Sequence, residues 1–136
     1  MLMSFSLDSS MTSALGGAFY PTGYSVVMFP DEATAVSVGE ELSAQLEDSE
    51  IFLLTPAAIL SQITPTVSGA DDPLPSAGTE GATVRAYTKL AKEGHHGLLV
   101  ETPDAETAQR MMEVVRRAPA PHSIAQRYRA LVIEDL

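Results

Sequence analysis

Two pairs of side chains in the second half of the chain have the chemistry of a binding site. Arg127 and Arg129 are two residues apart, so on a strand they project from one face and could together clamp a carboxylate or a phosphate. The alternative, which we favour because the chain carries 18 acidic residues, places both arginines at a sheet edge or a dimer border. There they would pair with acids of the N-terminal arm (residues 1–23) or of a partner chain.

The second pair, His95 and His96, is adjacent in the sequence. Neighbouring residues of a strand point to opposite faces, so these two rings cannot readily share a metal ion. Adding His122 gives no metal-binding spacing such as HxxxH, and the chain has no cysteine. We therefore expect no metal site and no cofactor. We interpret His95 and His96 as polar, exposed and hydrogen-bonded residues where a strand begins, and keep them as candidates for contact with a ligand or a partner.

Catalytic motifs are absent from the sequence. No GxSxG surrounds any of the serines, and the glycines at 16, 17, 78 and 81 fit neither a P-loop nor a dinucleotide fingerprint. Glu101 could be a buried acid at the end of a strand, but the sequence indicates no second carboxylate placed to act with it. We therefore expect a protein without catalysis.

A short phrase that occurs twice indicates which elements position these residues. Residues 27–35 and 100–108 resemble each other at a constant offset of 73, and in each copy an apolar run meets Pro-Asp before a helix. Asp31 and Asp104 are the expected helix caps, because their carboxylates can accept from free N–H groups of the first turn. The apolar positions of the two helices also correspond: Ala35 with Ala108, Val38 with Met111, and Leu42 with Val115.

The chain is expected to form a single domain, 1–136, in four parts. After the arm come a first βαβ half (24–63), an insertion loop rich in Pro and Gly (64–82), and a helix plus a second βαβ half (83–136), which ends in one long strand over 123–133. Two such halves predict an α+β, ferredoxin-like βαβ-βαβ sandwich. It has a four-stranded antiparallel sheet, helices on one face, and an inserted loop and helix between the halves.

Charge is distributed unevenly along the chain, whose formal net charge is −10. Residues 1–84 hold 11 acidic and no basic side chains, whereas residues 85–136 hold 7 acidic and 8 basic ones. Binding to a nucleic-acid backbone needs clustered Lys and Arg, so we expect no nucleic-acid partner. We also expect no membrane partner, because no run of about 18 apolar residues exists. The chain reads as cytoplasmic because it has no cysteine and no secretory signal.

The expected strands are apolar on both faces, as in the runs 26–29, 51–54 and 98–100. Helices cover only one face of the predicted sheet, and exposing the other would cost several kcal/mol at about 25 cal/mol per Å². A second copy of the chain, the N-terminal arm or an apolar ligand must therefore cover the second face. We predict a homodimer with sheet-to-sheet or edge contacts, to which the arm contributes.

A helix containing Glu32-Ala33 and Leu42 follows the first strand, and the later strand reads Gly97-Leu98-Leu99-Val100. In these residues the chain resembles small bacterial ferredoxin-like proteins of the general-stress type. The resemblance implies a cytosolic, non-catalytic helper role. It supplies no catalytic residues.

Three hypotheses for the function follow. The favoured one is a non-catalytic, dimeric interaction or regulatory module. The second is a sensor that binds a small anionic or amphipathic ligand beside the sheet through Arg127, Arg129 or the histidine pair. The third is an enzyme of the α+β-barrel type with a pocket between sheet and helices. A closed cavity with converging His and Arg side chains would favour the second or third, whereas a filled sheet face would favour the first.

Overall fold

The computed structural model describes residues 2–12, 17–67 and 79–136. This part of the chain is an α+β structure with one six-stranded sheet and four α-helices. The strands are β1 (Leu2–Ser4), β2 (Tyr24–Phe29), β3 (Ile51–Leu54), β4 (His96–Glu101), β5 (Ile124–Tyr128) and β6 (Ile133–Asp135). The helices are α1 (Glu32–Gln45), α2 (Pro56–Ala58), α3 (Thr79–Lys92) and α4 (Ala105–Arg116).

The order of the strands across the sheet is β1-β3-β4-β2-β5-β6. β1 runs parallel to β3, and every other neighbouring pair is antiparallel, so the sheet is mixed. The sequence predicts four strands. The two additional ones lie at the edges, where β1 comes from the N-terminal arm and β6 from the last residues of the chain.

The prediction of one long last strand over 123–133 is wrong, because the chain reverses direction within these residues. Arg129 N donates to Val132 O at 2.8 Å, which closes a tight turn through Ala130 and Leu131. Tyr128 then pairs with Ile133, and β5 and β6 form an antiparallel hairpin. The turn carries no Gly, Pro or Asn, the residues by which such turns are recognised in a sequence.

The two copies of the repeated phrase adopt the same local structure. Asp31 caps α1 by accepting from Thr34 N at 2.7 Å, and Asp104 caps α4 by accepting from Thr107 N at 2.8 Å. Both bonds reach three residues ahead, the usual geometry for an aspartate N-cap. The strand that precedes each helix, β2 or β4, lies in the middle of the sheet, and the two are paired with each other.

One face of the sheet is covered by α1 and α4. The core on this side contains five of the six helix residues matched through the repeat, together with Val27, Phe29, Leu98 and Val100 from the central strands. The sixth, Ala108, is also buried. The same two strands send the alternate residues to the opposite face, as a strand with two buried faces requires.

The opposite face is covered by the chain itself. Val26, Met28 and Leu99 of the central strands pack there in a core completed by three segments. The expected cover by the N-terminal arm is present, and α3 together with the turn after α2 adds to it, so helices lie on both faces of the sheet. The covering residues are Phe5, Met11, Phe19 and Tyr20 from the arm, Ile59 and Ile63 from the turn, and Val84, Tyr87 and Ala91 from α3.

Short helical elements lead into the predicted insertion loop, 64–82, and a longer helix begins before it ends. Thr55 caps α2 by accepting from Ala58 N at 3.1 Å, with Pro56 in the first helical position as expected. A π-turn (Ile59–Ile63) and a 3-10 turn (Thr64–Thr66) follow. α3 begins at Thr79 instead of Thr83, and the rest of the predicted loop, 68–78, lies outside the described residues.

Candidate functional site

His95 and His96 lie where β4 begins, and their rings have separate partners. His95 Nδ1 is 3.0 Å from Ser123 Oγ. His96 Nδ1 is 3.1 Å from the carbonyl oxygen of Gly94, and its Nε2 is 3.3 Å from a carboxylate oxygen of Glu32. The pair is hydrogen-bonded, as the sequence predicts, but both residues are half-buried instead of exposed, because Ser123, Gly94 and Glu32 pack against the rings.

Arg127 lies on β5, Arg129 directly follows this strand, and the two arginines share one partner. The Nη1 atoms of Arg127 and Arg129 are 4.0 Å and 3.7 Å from the two carboxylate oxygens of Glu134. Arg127 Nε also donates to Thr102 O at 3.4 Å, and its side chain is only 11% exposed. The expected partner was an acid of the arm or of another chain. That acid is instead Glu134, because the unforeseen hairpin places β6 directly beside β5.

The structure does not bring the histidines and the arginines together. His96 lies opposite Phe29 at the end of β2, and Arg127 lies opposite Ser25 near its start. The two positions are four residues apart along β2, or about 13 Å at 3.3 Å per residue. A single ligand site built from all four predicted residues is therefore not formed.

A pair of carboxylates was missed in the sequence. Glu101 N donates to Glu50 O at 2.8 Å, and Glu50 N donates to Glu101 Oε1 at 3.0 Å. Glu50 also accepts a hydrogen bond from Tyr24, and burial, followed by this bond and the nearby carboxylates, raises the pKa of the Tyr24 hydroxyl. The second carboxylate near Glu101 therefore exists. It comes from the residue before β3, and only strand pairing brings it there.

An open, polar cavity of about 460 Å³ lies where the end of α1 meets the end of β4 and the start of α4. Its lining residues include three acids, Glu47, Asp48 and Glu101, and one base, Arg110. Arg110 Nη2 donates to Gln45 O at 2.9 Å, which holds the guanidinium at the C-terminal end of α1. Such a lining could hold a small ligand that carries both signs of charge.

The β5–β6 hairpin has a different chemical character. Among the described residues, Leu131 and Val132 are the large apolar side chains that are exposed, at 94% and 57%. They are adjacent and lie at the hairpin turn, directly before β6. Among the strands that the structure describes, β6 has a neighbour on one side only, so this apolar pair adjoins an open strand edge.

In the described part of the chain, no group of three His, Asp or Glu side chains is placed to hold a metal ion. None of the helices described combines the length and the apolar character needed to cross a membrane. Comparison with protein families, with curated proteins and with solved structures gives no match to this chain. The function is therefore inferred from the geometry.

Proposed function

We propose that this protein is a non-catalytic interaction or regulatory module that acts as a homodimer, with the β5–β6 hairpin as its contact surface. The observation that carries the proposal is the exposure of Leu131 and Val132 beside the open edge of β6. Burying a leucine or valine side chain contributes about 1.5–3 kcal/mol of favourable free energy, so covering this pair would stabilise a complex with a partner.

The covered sheet faces restrict where a dimer can form. The sequence predicts a dimer because helices are expected on only one face of the sheet. In the structure, however, both faces are filled by the chain's own helices and arm. In the described part of the chain, no sheet face is therefore free to contact a second sheet, whereas the edge of β6 is free to contact another strand. A filled sheet face is also the feature expected of an interaction module, in preference to a protein with a pocket between sheet and helix.

The proposal is tested by light scattering over a micromolar concentration series. We expect the wild-type mass to rise from 14.4 kDa towards twice that value with concentration. The double variant Leu131→Ser/Val132→Ser should remain monomeric. The matched control Ala33→Ser/Ala82→Ser also places two serines at exposed positions, and it should behave like the wild type. A constant monomer mass for the wild-type protein would overturn the proposal.

We also assign the four inner strands to a ferredoxin-like unit. Their order, β3-β4-β2-β5, and their antiparallel pairing support this assignment, as does the position of α1 and α4, each following one of the two central strands. The edge strands and α3 are then additions to the unit. The general-stress resemblance and the cytoplasmic location stay proposals that the sequence alone supports.

A small-molecule sensor is the second candidate, and the polar cavity beside Arg110 favours it. The ligand would bind there instead of at the histidines and arginines first considered, because those residues do not converge. A thermal-shift screen of amino acids and other small zwitterions tests this candidate, since a ligand of the native state raises the melting temperature. Loss of any shift in Arg110→Gln, but not in Arg117→Gln, would place the ligand in the cavity.

A further inference from the structure

We infer that two copies of the chain join through antiparallel pairing of β6 with β6, centred on Glu134, with Val132 of each copy against Leu136 of the other. This inference rests on the proposed function and specifies the residues and the register of the contact. It would join the two six-stranded sheets into one continuous sheet about a twofold axis, which closes the assembly at a dimer.

The backbone of β6 decides which residues can pair outward. Arg129 N donates to Val132 O, and Leu136 N donates to Ala125 O at 2.9 Å, so residues 132 and 136 direct their backbone groups towards β5. Inward and outward groups alternate along an antiparallel strand. The outward donors and acceptors of β6 are therefore those of Ile133 and Asp135. A second β6 can bond to them only in a register that pairs odd-numbered residues with each other.

Side-chain chemistry selects one of the allowed registers. Pairing about Glu134 sets Ile133 against Asp135 of the second copy and Val132 against Leu136. Pairing about Ile133 would set Val132 against Glu134 instead. Both registers place an apolar side chain opposite an acid, so the apolar pairs distinguish them. Pairing about Glu134 forms two Val132–Leu136 pairs, whereas pairing about Ile133 forms one apolar pair, Ile133 with itself. Cross-strand pairs of apolar side chains contribute roughly 0.2–1 kcal/mol relative to alanine pairs, so the register about Glu134 is favoured.

A groove between α4 and β6 lies beside the position that Val132 of a second copy would take. Its volume is about 280 Å³, and Ala108, Met112 and Leu136 contribute apolar side chains to its lining. Even-numbered residues of β6 face α4, because Glu134 and Leu136 line this groove. Val132 is also even-numbered and projects from the same face of the sheet, so in the twofold arrangement it faces the groove of the partner copy. One chain thus carries both the exposed apolar side chain and the groove that fits it.

Charge at this edge is compatible with the close approach of two copies. The central pair would place one Glu134 opposite another, which is unfavourable for isolated carboxylates. Each Glu134 is already within 4.0 Å of both Arg127 and Arg129, and Arg116 lines the adjacent groove. These arginines weaken the repulsion between the two Glu134 carboxylates, while the other acid of β6, Asp135, lies opposite the uncharged Ile133.

Single cysteine variants test the register, because the chain has no cysteine of its own. In a non-hydrogen-bonded pair the Cα atoms are about 4.5 Å apart, within the range that a disulfide spans. Under mild oxidation Glu134→Cys should therefore cross-link with itself. Val132→Cys and Leu136→Cys should cross-link when mixed but not alone, since the same residue in the two copies is then about 13 Å apart. Ser61→Cys, at an exposed site, measures random collision.

The expected rate for Glu134→Cys, and for the mixture, is about a hundredfold or more above that of Ser61→Cys, because a dimer holds the thiols at millimolar effective concentration. The mixture of Val132→Cys and Leu136→Cys retains Glu134, so it still tests the register if loss of that carboxylate weakens the dimer. Rates equal to that of Ser61→Cys, with a wild-type dimer in light scattering, would overturn the register and leave the proposed function standing. A wild-type monomer at every concentration would overturn both.

Discussion

Val26 and Leu99 lie opposite each other in the β2–β4 ladder and are 73 residues apart, the same offset that relates the two copies of the repeated phrase. Adding 73 to the number of the β2 residue and subtracting 73 from that of the β4 residue therefore exchanges Val26 and Leu99 and gives the same pair. It also converts the Ser25–Val100 pair into the Val27–Leu98 pair, which the ladder contains. The two central strands are thus related about the Val26–Leu99 pair as a local twofold axis requires.

Gly97 is the position in this ladder that should tolerate a side chain least. A Cβ atom there would lie 2.6 Å from Met28 Sδ and 3.2 Å from Val27 O, in the middle of the sheet. We expect Gly97→Ala to lower the free energy of unfolding by about 1–3 kcal/mol through overpacking. Urea denaturation measures this change in the free energy of unfolding, and an unchanged midpoint would contradict the packing described at Gly97.

Gly39 in α1 should respond differently, because its nearest neighbours are the ends of flexible leucine side chains. A Cβ atom would meet Leu2 Cδ1 at 2.9 Å and Leu98 Cδ2 at 3.0 Å. Alanine favours a helix over glycine by about 1 kcal/mol, which offsets part of the clash. We expect Gly39→Ala to loosen the edge strand β1 more than the whole fold. Faster amide exchange in β1, at the amides bonded to β3, with little change in the urea midpoint, is the expected result.

The buried hydroxyl of Tyr87 should stabilise the docking of α3 on β5. It bonds to Tyr128 OH at 2.8 Å and to Gln126 Oε1 at 2.8 Å, and burial, followed by the charge and the hydrogen bond of Tyr128, raises its pKa. Tyr87→Phe leaves these partners unsatisfied, which costs about 1–3 kcal/mol in unfolding free energy.

The control is Tyr24→Phe, whose hydroxyl bonds to Glu50 near the surface. Its unfolding free energy should stay within about 0.5 kcal/mol of the wild-type value. Equal losses for the two variants would show that the interior hydroxyl network adds nothing beyond a surface contact.

The two aspartate caps should make stability depend on acid pH. The backbone N–H of Thr34 chiefly lowers the pKa of Asp31 below its ordinary value of 3.8, and that of Thr107 does the same for Asp104. A folded-state pKa below the unfolded one gives a contribution that is complete above the unfolded value and is lost as pH falls through the folded value. Because asparagine caps a helix about as well as aspartate, Asp31→Asn/Asp104→Asn should keep its stability at neutral pH.

Urea midpoints at neutral pH and at pH ~3 measure this effect. The double cap variant should lose less stability on acidification than the wild type. The control Glu40→Gln/Glu113→Gln removes two exposed carboxylates that cap no helix, and it should follow the wild-type curve more closely. If the control flattens the pH dependence as much as the cap variant, general charge and not capping is responsible.

The local elements could be predicted from the sequence because neighbouring residues encode them. Asp31, Asp104 and Thr55 each cap the helix that follows, and Pro56 occupies the first turn as expected. The unbroken apolar runs also indicate that both faces of the central strands are buried. A cap or an apolar run involves residues only a few positions apart, so it can be recognised in the sequence without knowledge of any distant contact.

The site could not be predicted in the same way, because each of its relationships joins distant parts of the chain. A turn without the usual turn residues splits the expected last strand, and that turn brings Glu134 to Arg127 and Arg129 and exposes Leu131. Strand pairing likewise joins Glu50 to Glu101 across 51 residues.

The sequence by itself therefore determined the strands β2, β3 and β4, the capped helices that follow them and the repeat, but not the edge strands β1 and β6. Only the tertiary structure decided that α3 and the arm close the second face, and that the exposed contact surface is a strand edge. The physical reason is that burial and pairing depend on which segments meet in space. Many local patterns are compatible with several such arrangements, and packing of the whole chain selects one.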